Sequence, residues 1–189
     1  MKQIILLTGP GGSGKSTLAA RLCERHEFVR HLSVTTAPVE RRELAAPEYL
    51  HVQDCDFAHM LAAGHFAEHL LFPTGVRYGF PRPEADPRGR ILVGITSAEG
   101  IAILCPRLAP EWNVVVVLVD AADDDLDRRV MLRRDTPAEA EARRDVRKVQ
   151  RSTWKMADLV LRASCATAAE ESLIEHLRGL GWLDRSVAS

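Results

Sequence analysis

One asparagine, two tyrosines and three tryptophans are all that 189 residues hold of those types, and neither sign of charge is in excess. The 25 Lys and Arg stand against 26 Asp and Glu, a formal net charge of -1. A chain-wide nucleic-acid binder is normally basic throughout, so that class is excluded. The longest purely apolar run, Val114 to Val119, falls far short of the roughly 20 residues a bilayer requires. The first residues lack the charge, apolar stretch and cleavage site of a signal peptide. The chain therefore reads as cytoplasmic, with no membrane partner. Cys23, Cys55, Cys105 and Cys165 show no C-x-x-C spacing, which predicts reduced, buried thiols. The 46% hydrophobic and 27% charged composition is that of an ordinary globular chain, not a collagen-like, disordered or disulfide-stapled one. At roughly 150 residues per domain, the length suits one domain.

What is present alternates. Gln3 to Thr8 is a short apolar run ending at Gly-Pro-Gly-Gly, and Ser16 to His26 then carries Leu18, Ala19 and Leu22 at helical spacing. Arg90 to Ile95 and Val114 to Val119 are apolar on both parities, as strands covered on two faces are. A helix marked by Leu126, Val130 and Met131 follows Asp120, and Asp158 to Leu161 leads into Ala168 to Leu180. This strand–helix alternation predicts an α/β fold, a parallel sheet sandwiched between helices in three layers. Two segments interrupt it: His31 to Pro87, rich in Pro and aromatic residues and weakly periodic, and the polar stretch Arg133 to Glu141.

Gly9-Pro10-Gly11-Gly12-Ser13-Gly14-Lys15-Ser16 fits G-x-x-x-x-G-K-[ST], and it lies between a strand and a helix, the context that gives this pattern meaning. Glycines let backbone N–H groups turn inward around phosphates. Lys15 would reach the β and γ oxygens, and the Ser16 hydroxyl would hold Mg²⁺ at the positive end of the helix. Gly9, Gly11, Gly12, Ser13, Gly14, Lys15, Ser16 and Thr17 are therefore the candidate ATP-binding residues, with Ser16 the metal ligand. A GTPase commonly reads guanine through N-K-x-D, yet the chain's one asparagine is Asn113, inside Asn113-Val114-Val115.

Nine of the 25 basic residues fall between Arg128 and Arg151. Interleaved acids at Asp135, Glu139, Glu141 and Asp145 would make ordinary i,i+4 pairs on a solvated face. Transfer of a phosphoryl group between two polyanions, however, calls for extra cations at the migrating group, worth roughly 10³ to 10⁵ in rate. Arg129 and Arg133 share a face ahead of the polar stretch, and Arg144 lies beyond it.

Together these residues resemble the guanylate kinase family, from Ile4 to about Leu177. Beyond the phosphate loop, the resemblance is carried by Ser33-Val34-Thr35-Thr36 with Glu43 and Tyr49, by Gly64-His65-Phe66-Ala67-Glu68, by Tyr78-Gly79 and by Arg128 to Arg144. It implies a P-loop core over 1–31, 88–132 and 142–185, an acceptor-binding insertion over 32–87 and a helical lid over 133–141. It implies phosphoryl transfer from ATP to GMP with Mg²⁺, on small-molecule nucleotides. Ser33 and Glu68 match residues that hold the guanine, and Tyr49 and Tyr78 match phosphate-binding tyrosines. Arg129, Arg133 and Arg144 match lid arginines that act with Lys15 in catalysis.

The acceptor side departs from that family. Its T-T-R-x-x-R reads Thr36-Ala37-Pro38-Val39-Glu40 here, so both phosphate-gripping arginines are gone. At roughly 1.5 to 3 kcal/mol for each charge-assisted hydrogen bond, this is a loss of about 3 to 6 kcal/mol, on the order of 10² to 10⁴ in acceptor affinity. Arg41, Arg42 and Arg77 stand near enough in sequence to substitute. The family's L-D-I-D-x-Q-G has Ile95 and Ser97 where its two aspartates stand, with Ser97 and Glu99 as stand-ins. Phe80 replaces the threonine after Tyr-Gly, and no asparagine lies near Arg162 to Ser164 on the adenine side. These departures favour an alternative acceptor such as ribose 1,5-bisphosphate, whereas Ser33, Tyr49, Glu68 and Tyr78 favour a nucleotide. A non-catalytic nucleotide-binding or protein-interaction module is the third reading; an intact Lys15, Ser16 and arginine stretch argue against it.

Other signals take structural roles. His65-Phe66-Ala67-Glu68-His69 matches H-x-x-E-H, which binds zinc only on a helix, and Phe72-Pro73-Thr74-Gly75 would end such a helix at once. Asp123-Asp124-Asp125 answers a helix dipole. Trp112, Trp154 and Trp182 are expected in packing, and the remaining histidines in satisfied structural positions.

Overall fold

The computed structural model describes residues 2–39, 49–72, 75–131, 147–162 and 165–184, the side chains of 129 to 131 apart. Strand β1 (Gln3–Thr8) runs into the glycine loop and helix α1 (Lys15–His26), then β2 (Val29–His31). Strands β3 (Ser33–Thr35) and β4 (Tyr49–His51), helix α2 (Asp54–Ala62), and strands β5 (Phe66–Leu71) and β6 (Arg77–Pro81) come next. The chain continues with β7 (Leu92–Ile95), α3 (Ala98–Leu108), β8 (Asn113–Val119) and α4 (Asp123–Met131). A helical segment over 147–151 and a 3₁₀ turn (Ser152–Met156) lead to β9 (Leu159–Leu161) and α5 (Ala166–Gly179).

Among the described residues, five strands form a parallel sheet in the order β2-β7-β1-β8-β9. Because side chains alternate along a strand, β1 divides its apolar run between two cores. Ile5 and Leu7 pack with Leu18 and Leu22 of α1 and Leu173 and Leu177 of α5. Ile4 and Leu6 face the other way, against Ile101, Leu104 and Leu108 of α3. Both faces are covered, which gives the three layers and explains the unbroken hydrophobicity of these strands.

The stretch from His31 to Pro87, weakly periodic in sequence, holds a second, four-stranded sheet, β4-β3-β6-β5. Strands of three to six residues leave too short a pattern to show against the surrounding polar chain. One face packs Val34 and Phe66 onto Phe57 of α2, with the Phe57 and Phe66 rings stacked at 4.7 Å. A register shift between Phe66 and Glu68 re-aims the strand there, as bulges do. Phe66 lies against α2, Ala67 enters the α3 core and Glu68 reaches the interior of the molecule.

Phe80 also belongs to the α3 core. A side chain at Gly94 would meet its ring at 2.8 Å, so the bulky residue on β6 and the absent one on β7 fit each other. Asp123, Asp124 and Asp125 fall in the first turn of α4, where their charge suits the dipole. Two expectations are corrected. Cys55 and Cys165 are exposed, each lying at a helix start and not in a core. Trp154, on the 3₁₀ turn, is 58% exposed, whereas Trp112 is buried and Trp182 packs against the α1/α5 core.

Candidate active site

The phosphate loop is shaped by main-chain sterics. Gly9, Gly12 and Gly14 adopt φ of 128°, 85° and 103°, a region that L side chains rarely enter. At Gly9 space adds to the constraint, since a Cβ there would lie 2.1 Å from the Val119 carbonyl oxygen. Gly14 precedes α1 without a side-chain cap, so the first amides of the helix point at the loop interior, a seat for an anion. Lys15 Nζ donates to the Gly9 and Pro10 carbonyls at 2.8 and 2.7 Å, which holds the ammonium across the loop. The hydroxyls of Thr8 and Ser13 are buried and, among the described residues, make no hydrogen bond. Unmatched hydroxyls beside amides and an ammonium suit a phosphate with its magnesium ion, and Ser16 lines the same space.

This loop forms one end of a cleft of about 910 Å³. The second sheet forms the other end, through alternate residues of its strands: Ser33 and Thr35, Tyr49 and His51, Glu68 and Leu70, and Tyr78. Register brings them together, with Ser33 opposite Tyr49, Thr35 opposite His51 and Tyr78, and Leu70 opposite Tyr78. The rings of Tyr49 and Tyr78 meet edge-on at 5.5 Å. Asp120, Gln150 and Cys165 line the cleft near the phosphate loop.

Glu68 is the most perturbed group here. It is 4% exposed, its Oε1 has no hydrogen-bond partner among the described residues, and burial pushes its carboxyl up to about 7. Arg107, whose guanidinium donates to the Ala67 carbonyl, works against that rise, and Glu99 adds to it. A carboxyl raised by burial at the wall of a cleft is a candidate functional group. Its neighbours at that end are engaged: Ser33 Oγ donates to the Ile95 carbonyl at 3.3 Å, and Ser97 Oγ accepts from the Gly100 amide at 3.0 Å as the cap of α3.

The sequence-derived site residues thus divide. Gly9, Gly11 to Thr17, Ser33, Tyr49, Glu68, Tyr78 and Ser97 all line the one cleft. Arg129 lies on α4, its side chain not described, while Arg41, Arg42, Arg133 and Arg144 lie outside the described residues. Arg77, a candidate replacement cation, alternates to the opposite face of β6 from Tyr78. Its guanidinium sits 3.6 Å from Asp54 and over the Phe57 ring, away from the cleft. The H-x-x-E-H pattern begins at His65, just before strand β5, and runs along it as extended chain and not helix, which separates its two imidazoles, and no group of potential metal ligands occurs among the described residues. Thr35, quoted within the Ser33 motif, and His51, expected in a structural position, had no predicted site role, yet each stands two residues beyond a predicted site residue, the strand period that places them on the same face.

Beyond α4, arginines serve as ties. Buried Arg147 bonds Asp123 and Asp127 at 2.9 and 2.8 Å. Arg151 bonds Asp120, Asp123 and the Ala121 carbonyl. These two therefore take the structural reading of the basic stretch.

Among curated proteins, a guanylate kinase of Frankia casuarinae is 36% identical over 146 residues, covering 75% of this chain and 77% of that protein. A guanylate kinase of Chlorobium luteolum is 30% identical over 142 residues, covering 73% and 71%. Among solved structures, guanylate kinase from Anaplasma phagocytophilum matches with a TM-score of 0.73 at 19% identity, covering 97% of this chain and 88% of that one, a likeness of fold. No protein-family model matches. No described helix is long and apolar enough to cross a membrane.

Proposed function

The chain belongs to the guanylate kinase family, and from that membership we propose that it transfers the γ-phosphoryl group of ATP to a nucleoside monophosphate, GMP first, in the cytoplasm. The observation that carries this reading is a single cleft with the phosphate loop at one end and Ser33, Tyr49, Glu68 and Tyr78 at the other. Residues 32–87 are taken as the acceptor-binding insertion and 133–141 as a lid on the remaining core.

Catalysis in this scheme is positioning and electrostatics, with no covalent intermediate. Loop amides and Lys15 hold the donor phosphates in line with the acceptor. Magnesium, held through Ser16, neutralises charge on the phosphates when bound. Arg129, Arg133 and Arg144 are proposed to approach the transferring group and help exclude water. Glu68, once ionised, accepts ring N–H groups of the acceptor base, and Tyr49 and Tyr78 donate to its phosphate.

A coupled ADP-release assay against GMP, dGMP, IMP, AMP, UMP and ribose phosphates tests this, with Lys15→Met as the blank. Turnover with GMP that disappears in the variant is expected. Turnover confined to a ribose phosphate would move the chain to the phosphosugar kinases, and absence of turnover with every acceptor would sink the mechanism.

A further inference from the structure

We infer that Gln150 reads the adenine base of the donor, its carboxamide pairing with the N6 amino group and N7 of the ring; this rests on the kinase reading above. In the large sheet β1 is central, with β7 and β2 on one flank and β8 and β9 on the other. The second sheet joins on the β2 and β7 flank, where Ser33 bonds Ile95. The nucleoside of a triphosphate seated in the phosphate loop is thus left the β8 and β9 flank, and there Asp120, Gln150, Cys165, Ala166 and Ala169 line the cleft. Ala166 and Ala169 stand three residues apart on α5 and form an apolar floor on which a planar ring can lie. Asp120 on the same wall is committed to Arg151 and to the Ala121 amide.

Adenine presents a donor, N6, beside an acceptor, N7, and a carboxamide carries the matching acceptor and donor. Such side chains are scarce: the whole chain has four, Gln3, Gln53, Asn113 and Gln150. Gln3 and Asn113 open β1 and β8 and pair in register at the end of the sheet remote from the loop. Gln53 precedes α2 and lines an adjoining cavity. Of the four, Gln150 lines the cleft. Its carrier is pinned on both sides. Arg147 bonds Asp123 and Asp127, Arg151 bonds Asp120, Asp123 and the Ala121 carbonyl, and the buried Thr153 hydroxyl donates to the main-chain carbonyl of Gln150 itself. At 3.6 residues per turn, Gln150 lies about 60° around the helix from Arg147 and about 100° from Arg151. It therefore shares their inward side and is half-buried, whereas Lys148 and Val149 are exposed. Guanine offers two acceptors, O6 and N7, at the corresponding edge, so the carboxamide oxygen would face an acceptor there.

The test is steady-state kinetics of the parent, Gln150→Leu and Gln150→Arg with ATP or GTP as donor and GMP saturating, with calorimetric titration of ATP and of tripolyphosphate into each protein. The parent is expected to prefer ATP. In Gln150→Leu the KM for ATP is expected to rise roughly five- to a hundredfold, with the affinity for tripolyphosphate, which has no base, the KM for GMP and the melting temperature unchanged. Gln150→Arg presents donors to O6 and N7 and is expected to move the preference toward GTP. An ATP KM unaltered in Gln150→Leu, or a parent that uses GTP as readily as ATP, overturns the assignment while leaving the kinase reading intact. An equal loss of ATP and tripolyphosphate affinity also overturns it, since that marks a structural role. No turnover of any monophosphate by the parent protein overturns the kinase reading and this inference with it.

Discussion

The two ends of the cleft are built from different materials. At the donor end the chemistry resides in main-chain amides, and the residues are fixed by what the backbone must do: Gly9 holds a φ that L side chains rarely adopt, and a Cβ there would lie 2.1 Å from the Val119 carbonyl oxygen. At the acceptor end the backbone is an ordinary pleated sheet, and chemistry resides in whichever side chains alternate onto one face. A backbone-built site cannot change without losing its shape, whereas a sheet face can be re-lined one residue at a time. Thr35, Tyr49, His51 and Tyr78 are such positions, each set on the cleft face by strand alternation.

Substitutions that act on one end alone would sharpen this contrast, and any that spread to both would break it. Lys15→Met is expected to lower turnover at least about a hundredfold, read as ADP release, with acceptor binding by titration untouched. Gly9→Ala is expected to cost about 3 to 5 kcal/mol of stability in denaturant unfolding, because the added carbon collides with main chain and cannot be relieved by a rotamer. No substitution on the cleft face of the second sheet should approach that value.

Glu68→Gln is expected to raise the KM for GMP about tenfold at pH 8 and leave that for ATP alone. Its stability effect has a definite sign. The native carboxyl titrates near 7, above its ordinary 4.5, so between those values the native state holds more protons than the unfolded chain and stability falls as pH rises. Glu68→Gln should flatten that decline in thermal unfolding scans between pH 4.5 and 7.

Arg147→Ala should cost about 1 to 2 kcal/mol, less than the roughly 3 to 5 for breaking a buried pair, because Asp123 and Asp127 are partly hydrated. Equilibrium unfolding measures it, and ATP affinity should not change. The smallest expected effect concerns His31. Burial pushes its imidazole down to about 4, chiefly by desolvation, so the unfolded chain takes up its proton first as pH falls from 6.5, and native stability drops over that window. His31→Phe should make the acid limb shallower.

The same contrast explains what the sequence disclosed. The loop motif named eight residues that all line the cleft, and Gly9, Gly12 and Gly14 among them hold backbone angles that L side chains rarely adopt. Four of the five strands of the large sheet were legible as apolar runs, whereas β2, with Arg30 at its centre and no fully buried residue, was not. Tyr49, Glu68 and Tyr78 were recognised only by resemblance. His51 and Thr35 needed knowledge that three-residue strands exist there, which so short a pattern does not supply. Arg77, near enough in sequence to substitute for a missing cation, faces Asp54 and Phe57, because alternation puts it on the opposite face from its neighbour Tyr78. Phe80 read alone as a lost threonine; with Gly94 beneath its ring it is half of an exchange of volume between two strands.

Only Leu32 separates β2 of the large sheet from β3 of the small one. So short a junction is a pivot with two soft dihedrals, and nothing in the main chain there prevents the small sheet from swinging outward. Ala67 of β5 and the Phe80 ring of β6, both buried in the α3 core, oppose the swing. Three hydrogen bonds add to them: Ser33 Oγ to the Ile95 carbonyl, His31 Nε2 to the Pro81 carbonyl, and Arg107 to the Ala67 carbonyl. At about 0.5 to 1.5 kcal/mol for each bond and roughly 1.5 to 3 for a buried aromatic ring, the largest single restraint is apolar. The width of the cleft is therefore inherited from the packing of the α3 core, and a cavity made at Phe80 would alter it without touching any group that lines the cleft.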